Sequence, residues 1–293
     1  MPGITQLKTL QFKFQRFENS TNTNITELMN ALTPEVCPYL NQLNIKSYLP
    51  NDVNDALVNI IKSHKNLEKI ELDSSDISRS IIVYNITNCA NELTDYIKIF
   101  QTFSYVGNSL KELMLQYTDF SKISPDNIEN ISKCQNLVRF KIIGLSFDQI
   151  VMNALISMWG STLEVLHLNE LNQETANALL IHCSNLKELS INNLNAISLK
   201  FMYPFLLQSS LKSLLIDAKR QFYKEYVDLF QNLPITLNFL GLYTNFSDLE
   251  FELYVKEYII NLNKLNSKSE TFLEVLGNNT ALTTVNVENK HLR

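Results

Sequence analysis

Leucine, with isoleucine, valine or phenylalanine in its place, recurs along this chain in the pattern Leu-x-x-Leu-x-Leu. The repeats begin at Leu7, Leu40, Leu67, Leu110, Leu137, Leu163, Leu186, Leu211, Leu237 and Leu282, and six of the nine spacings are 23 to 27 residues. Within a repeat the fourth and sixth positions are apolar and the third and fifth mostly polar, as in Leu67-Glu68-Lys69-Ile70-Glu71-Leu72 and Leu186-Lys187-Glu188-Leu189-Ser190-Ile191. A period of two predicts a strand buried on one face. Between strands the period lengthens. Val53, Ala56, Leu57, Ile60 and Ile61 fall on one side of a helix, as do Ala176, Leu179, Leu180 and Cys183. Each repeat is expected to hold one strand and one helix.

Punctuation agrees with that division. Ser124-Pro125 reads as an N-cap followed by the first helical position, Asp52 and Ser146 as further N-caps, and Gly160 as the residue that ends a helix before the next strand. A strand joined through a helix to a parallel neighbour cannot bury its apolar face alone, so the repeats must stack. The expected fold is an α/β right-handed solenoid, a horseshoe of about ten strand–helix repeats with a parallel sheet on its concave face. No linker rich in Pro, Gly or Ser divides the chain, which predicts one domain over 1–293. Two repeats are enlarged, at about 73–109 and 243–281. The first enlargement contains the strand-like run Ser80–Ile86 and a helical stretch ending at Gly107; the second carries the helical stripe Phe251, Tyr254, Val255, Tyr258, Leu262 and Leu265.

The third, fifth and seventh positions of each repeat face away from the core, and a binding function would reside there. The early repeats present Lys13, Gln42, Lys46, Lys69, Glu71 and Asp73, a row of mixed sign. Later ones present Val165, His167, Asn169, Leu215, Asp217, Phe239 and Tyr243, so apolar and aromatic groups gather towards the C-terminal repeats. Arginine and aromatic side chains at such places are frequent anchors of protein interfaces. The candidate protein-binding residues are Arg139, Lys141, His167, Leu215, Phe239 and Tyr243. The competing reading is that the C-terminal enlargement, or a terminal cap, folds over these groups and makes them core.

Composition narrows the function classes. A net charge of −5 gives no basic field to gather phosphate backbones, so no nucleic-acid partner is expected. There is no apolar run long enough to span a bilayer and no signal-peptide core at the N-terminus, so the chain is expected in the cytoplasm or nucleus, away from membranes. Cys37, Cys89, Cys134 and Cys183 are far apart and form no CxxC pair, and none of His64, His167, His182 and His291 has a second ligand at metal spacing. Neither a phosphate-cradling glycine loop nor a Walker motif occurs. The expectation is no enzyme, no cofactor and no metal, although Arg139 is the concave-face candidate for an arginine supplied in trans to a GTPase.

Three repeats place cysteine three residues before the first leucine: Cys37-Pro38-Tyr39-Leu40-Asn41-Gln42-Leu43-Asn44-Ile45, Cys134-Gln135-Asn136-Leu137 and Cys183-Ser184-Asn185-Leu186. In this the chain resembles the cysteine-containing class of leucine-rich repeats, found in F-box proteins with repeat tails and in ribonuclease-inhibitor-like proteins. The resemblance implies a monomeric module that binds a protein substrate, as the recognition part of an F-box-type ubiquitin ligase receptor; a leucine-rich-repeat scaffold or inhibitor unrelated to ubiquitin is the alternative. The chain departs from that pattern where Leu145, Leu171 and Leu194 stand in place of the usual Asn or Cys. No F-box-like segment precedes Leu7, so the contact with a cullin-ligase adaptor is expected to lie in a part missing from this chain.

Overall fold

A computed structural model describes residues 4–13, 23–46, 51–73, 95–116, 125–143, 149–218, 228–229, 232–244 and 284–289. Strands and helices alternate along the chain, which divides into two compact units, Met1–Thr162 and Leu163–Arg293.

The N-terminal unit contains β1 (Thr9–Lys13), α1 (Thr23–Ala31), β2 (Gln42–Lys46), α2 (Asn51–Ser63), β3 (Lys69–Asp73), α3 (Asp95–Val106), β4 (Glu112–Gln116), α4 (Pro125–Ser132), β5 (Arg139–Ile143) and α5 (Gln149–Trp159). Its five strands pair in chain order, all parallel. The register follows the repeat: Leu10, Leu43, Ile70, Leu113 and Phe140 align at the fourth position, and Phe12, Ile45, Leu72, Leu115 and Ile142 at the sixth. From β2 to β5 these side chains are sealed in the core, whereas those of β1 are half-buried. Phe140 meets Trp159 of α5 edge to face at 4.9 Å, so the apolar sheet face is the one the helices cover. Such a ring pair adds about 0.5–1.5 kcal/mol to the burial itself.

The C-terminal unit contains β6 (Val165–Leu168), α6 (Gln173–His182), β7 (Glu188–Leu194), α7 (Ala196–Gln208), β8 (Ser213–Ala218), β9 (Phe239–Thr244) and β10 (Thr284–Asn289). Its strands also pair in chain order and in parallel, with Leu166, Leu189, Leu214, Leu240 and Val285 aligned. α6 and α7 each begin on an asparagine cap: Asn172 accepts from the Thr175 N–H at 2.7 Å, and Asn195 from the Ser198 N–H at 2.9 Å. The β7–β8 register shifts between Ile191 and Leu194, and β7 accommodates the irregularity at Asn193, whose φ is 52°. Asparagine tolerates this left-handed conformation better than most residues. Its side chain donates to Asn169 Oδ1 at 3.0 Å.

Successive repeats are joined by a recurring backbone relay. The carbonyl of a repeat's second residue accepts the N–H groups of the second and third residues of the next repeat. Lys8 receives Asn41 and Gln42, Asn41 receives Glu68 and Lys69, and Glu68 receives Lys111 and Glu112, all within 3.1 Å. Glu164, Lys187 and Lys212 carry the same relay through the C-terminal unit. A second tie comes from side chains. The hydroxyls of Ser109 and Thr162 lie 2.8 Å from the carbonyls of Leu67 and Leu137, and that of Thr236 lies 2.7 Å from Leu211. In each case the hydroxyl precedes one repeat leucine and reaches the leucine that opens the previous repeat. Exposed ion pairs at the second position, Glu68–Lys111 at 2.8 Å and Glu164–Lys187 at 2.7 Å, align the repeats but contribute at most about 1 kcal/mol each.

Several expectations meet a definite outcome. α2 starts at Asn51, so Asp52 is already inside the helix rather than its cap. Pro125 is the first residue of α4, as expected, and Gly160 follows α5 directly, donating its N–H to Ile156 at 2.8 Å. The helix expected before Gly107 is α3. Ser146, the run Ser80–Ile86 and the stripe from Phe251 to Leu265 lie outside the described residues. Among the described residues no helix is long and apolar enough to cross a membrane.

Candidate binding surface

The first question is whether any described group is poised for chemistry. Cys37, Cys134 and Cys183 are buried and unbridged. Burial holds the Cys37 thiol above its usual range and pushes those of Cys134 and Cys183 up to about 12. A thiolate is the nucleophilic form, so these cysteines behave as small apolar side chains. Cys134 Sγ lies 3.7 Å from the Phe103 carbonyl of α3, the helix of the previous repeat. His64 stands three residues before Leu67, the place that cysteine holds before Leu40, Leu137 and Leu186. It is buried, and its Nδ1 is 3.0 Å from the Ile60 carbonyl. That contact ties the end of α2 to the turn, so His64 acts as a structural residue. Among the described residues there is no group of three His, Cys, Asp or Glu side chains able to hold a metal.

The sheet face opposite the helices carries the remaining candidates. In the N-terminal unit it is charged. Lys69 and Arg139 reach one carboxylate, Glu112, from either side, at 3.3 and 3.5 Å, and Lys46 lies 3.7 Å from Glu71. These are third- and fifth-position side chains, with Lys46 at the seventh, so the period-two alternation alone brings them to one face. Arg139 is exposed at the third position of its repeat, the first residue of β5, and Lys141, half-buried, stands two residues on beside Met114 of β4. The sequence-predicted pair Arg139 and Lys141 is thus contiguous.

In the C-terminal unit the outward face of the strands is mostly polar, with one apolar cluster, and partly closed. His167 on β6 faces Ser190 on β7, which in turn faces Leu215 on β8. Gly241 on β9 continues that row, opposite Leu215. A Cβ on Gly241 would stand 3.1 Å from Phe239 Cε1 and 3.4 Å from Leu215 Cγ. The edge of the Phe239 ring and the Leu215 side chain therefore both border the space over the glycine. Both side chains are half-buried, leaving part of the aromatic surface open. Tyr243 pairs with Asp217 in the register, but its side chain lies outside the described residues. The structure brings Leu215 and Phe239 together, and leaves His167 two strands away from Leu215.

Two residues expected at the surface are not there. Val165 is 4 % exposed and Asn169 is 6 % exposed. Alternation shows which face a side chain takes but not how closely its neighbours crowd it. Sequence reading also missed the space that Gly241 provides for Phe239, and the hydroxyl ties. A signal for the ties was present, since Ser, Thr or Asn precedes the first repeat leucine at Asn66, Ser109, Asn136, Thr162, Asn185, Ser210 and Thr236. A comparison with protein-family models gives no match for this chain, and a comparison with curated proteins gives none.

Proposed function

We propose that this chain is a protein-binding leucine-rich-repeat module that holds its partner on the sheet face opposite the helices and performs no chemistry itself. The observation that carries this reading is the Leu215–Gly241–Phe239 cluster. A half-open aromatic ring bordering the space over a glycine has already lost much of the freedom that binding would otherwise remove, which is how an interface anchor gains affinity. It rests on strands whose registers are fixed on both sides. Thiols kept protonated by burial support a non-catalytic role.

Within that reading, the cysteines before Leu40, Leu137 and Leu186 favour a substrate receptor of the F-box type, presenting a protein for ubiquitination. Phe239→Ala should weaken capture of the partner by about 1–3 kcal/mol while leaving the melting temperature near that of the parent. Unfolding of Phe239→Ala would make the ring core and end the anchor assignment. Co-purification of the full-length protein with a cullin adaptor tests the ligase reading; its absence leaves a scaffold or inhibitor.

A further inference from the structure

The outward row of β5 reads Arg139, Lys141 and Ile143. Arg139 lies 3.5 Å from Glu112 through Nε, and that carboxylate is shared with Lys69. A guanidinium carries five N–H donors in a fixed fork, more than one shared carboxylate engages, and this one is exposed. Lys141 lies about 7 Å further along the same face, at about 3.3 Å per strand residue, and has no ion-pair partner among the described residues. Arg139 and Lys141 leave one strand on one face with a single residue between them, so one acidic segment can meet both. Half-buried Met114, across from Lys141, and half-buried Ile143 form an apolar shelf beside it.

We infer that this surface takes an acidic segment of the protein partner, with one carboxylate seated between Arg139 and Lys141 and a neighbouring apolar side chain on Met114 and Ile143. The inference rests on the reading of this sheet face as a protein-binding surface. A polyphosphate chain fits worse. Glu112 on β4 and Glu71 and Asp73 on β3, one strand beyond, occupy the same face, and a backbone with a charge at every nucleotide would have to cross them. A peptide can place one negative charge at the cation pair and neutral residues elsewhere.

Fluorescence anisotropy at low salt tests this with three labelled octapeptides of the sequence Gly-Ser-X-Leu-X-Leu-Ser-Gly, where X is Glu, Gln or Lys, and with a single-stranded oligonucleotide of eight thymidines. The Glu peptide should bind the intact protein at least about tenfold more tightly than the Gln or Lys peptide and than the oligonucleotide. Lys141→Glu should cost it about tenfold, and the double variant Arg139→Glu/Lys141→Glu should bind the Lys peptide in preference to the Glu peptide. The reversed preference is a gain, which an unfolded variant could not produce. Equal binding of the Glu and Gln peptides, indifference to charge reversal, or tighter binding of the oligonucleotide each overturns the inference. None of these outcomes touches the Phe239→Ala test, so the acidic-segment inference can fail while the protein-binding reading stands.

Discussion

Gly107 follows α3 directly, and a Cβ built on it would stand 2.4 Å from the Lys133 carbonyl oxygen and 2.8 Å from its carbon. Ordinary close C···O contacts lie at about 3.3–3.6 Å, so the methyl of Gly107→Ala is too near by about 1 Å. The obstacle is backbone and has no alternative rotamer. Lys133 leads into Cys134, whose N–H bonds to Ile131 at 3.0 Å and whose thiol is sealed in the core, so the turn can yield only by moving core with it. Overpacking of this kind costs about 1–3 kcal/mol. For a unit of this size each kcal/mol lowers the melting temperature by about 2–4 °C. Gly241→Ala is the internal comparison, because its Cβ meets a phenylalanine ring and a leucine side chain at 3.1 and 3.4 Å, where a shift of a few tenths of an ångström suffices; its cost should stay below about 1 kcal/mol. Calorimetry and urea unfolding of the two variants measure both. If Gly107→Ala melts at or above Gly241→Ala, the claim that a backbone carbonyl sets the cost is wrong.

Iodoacetamide at pH 8 should label Cys134 and Cys183 of the folded protein far more slowly than those of the urea-unfolded chain, as peptide mass mapping would show; rapid native labelling would contradict their sealed, protonated state. These thiols ionise at about 12 when folded and near 9.0 when unfolded. The folded chain therefore binds more protons above pH 9, and stability, intact below that value, falls as pH rises towards 12, by at most about 1.4 kcal/mol per pH unit per thiol. Cys134→Ala should flatten that alkaline slope, and an unchanged slope would refute the assignment. Thr162→Val keeps the shape of the side chain but removes the donor to the Leu137 carbonyl, so chemical unfolding should show a loss of about 0.5–1.5 kcal/mol. Parent-like stability would mean that this hydroxyl does not tie the repeats.

Much of this architecture can be read without coordinates because it depends on short-range periodicity. Ile70 and Leu72 point inward for the same reason that Lys69 and Glu71 point outward. The same alternation in every repeat fixes the register, since a slip of one residue would bury the charges. The helix from Asn51 to Ser63 follows from the spacing of Val53, Leu57, Ile60 and Ile61. What escaped the reading depends on neighbours distant in sequence. The burial of Val165 reflects crowding, not alternation. Gly107 read as a helix terminator, but its need for a missing Cβ comes from Lys133, in the following repeat. Asn193 sits at an irregularity that only pairing with β8 reveals. Of the candidate residues, Arg139 and Lys141 were visible as a pair because one strand holds both; Leu215 and Phe239 meet only because a glycine lies between them in space.

The hydroxyls of Ser109, Thr162 and Thr236 all reach backwards along the chain, to carbonyls that leave the ribosome first. A growing polypeptide thus never waits for an unmade residue to satisfy the hydroxyl it has just produced, and each of these turns can close as it emerges. The stitching is also modular, because every hydroxyl seeks the same atom, the carbonyl of a leucine that opens a repeat. Excising one strand–helix segment from turn to turn presents the next hydroxyl with an equivalent acceptor. Change of length by whole segments is therefore the kind of mutation this architecture absorbs most readily.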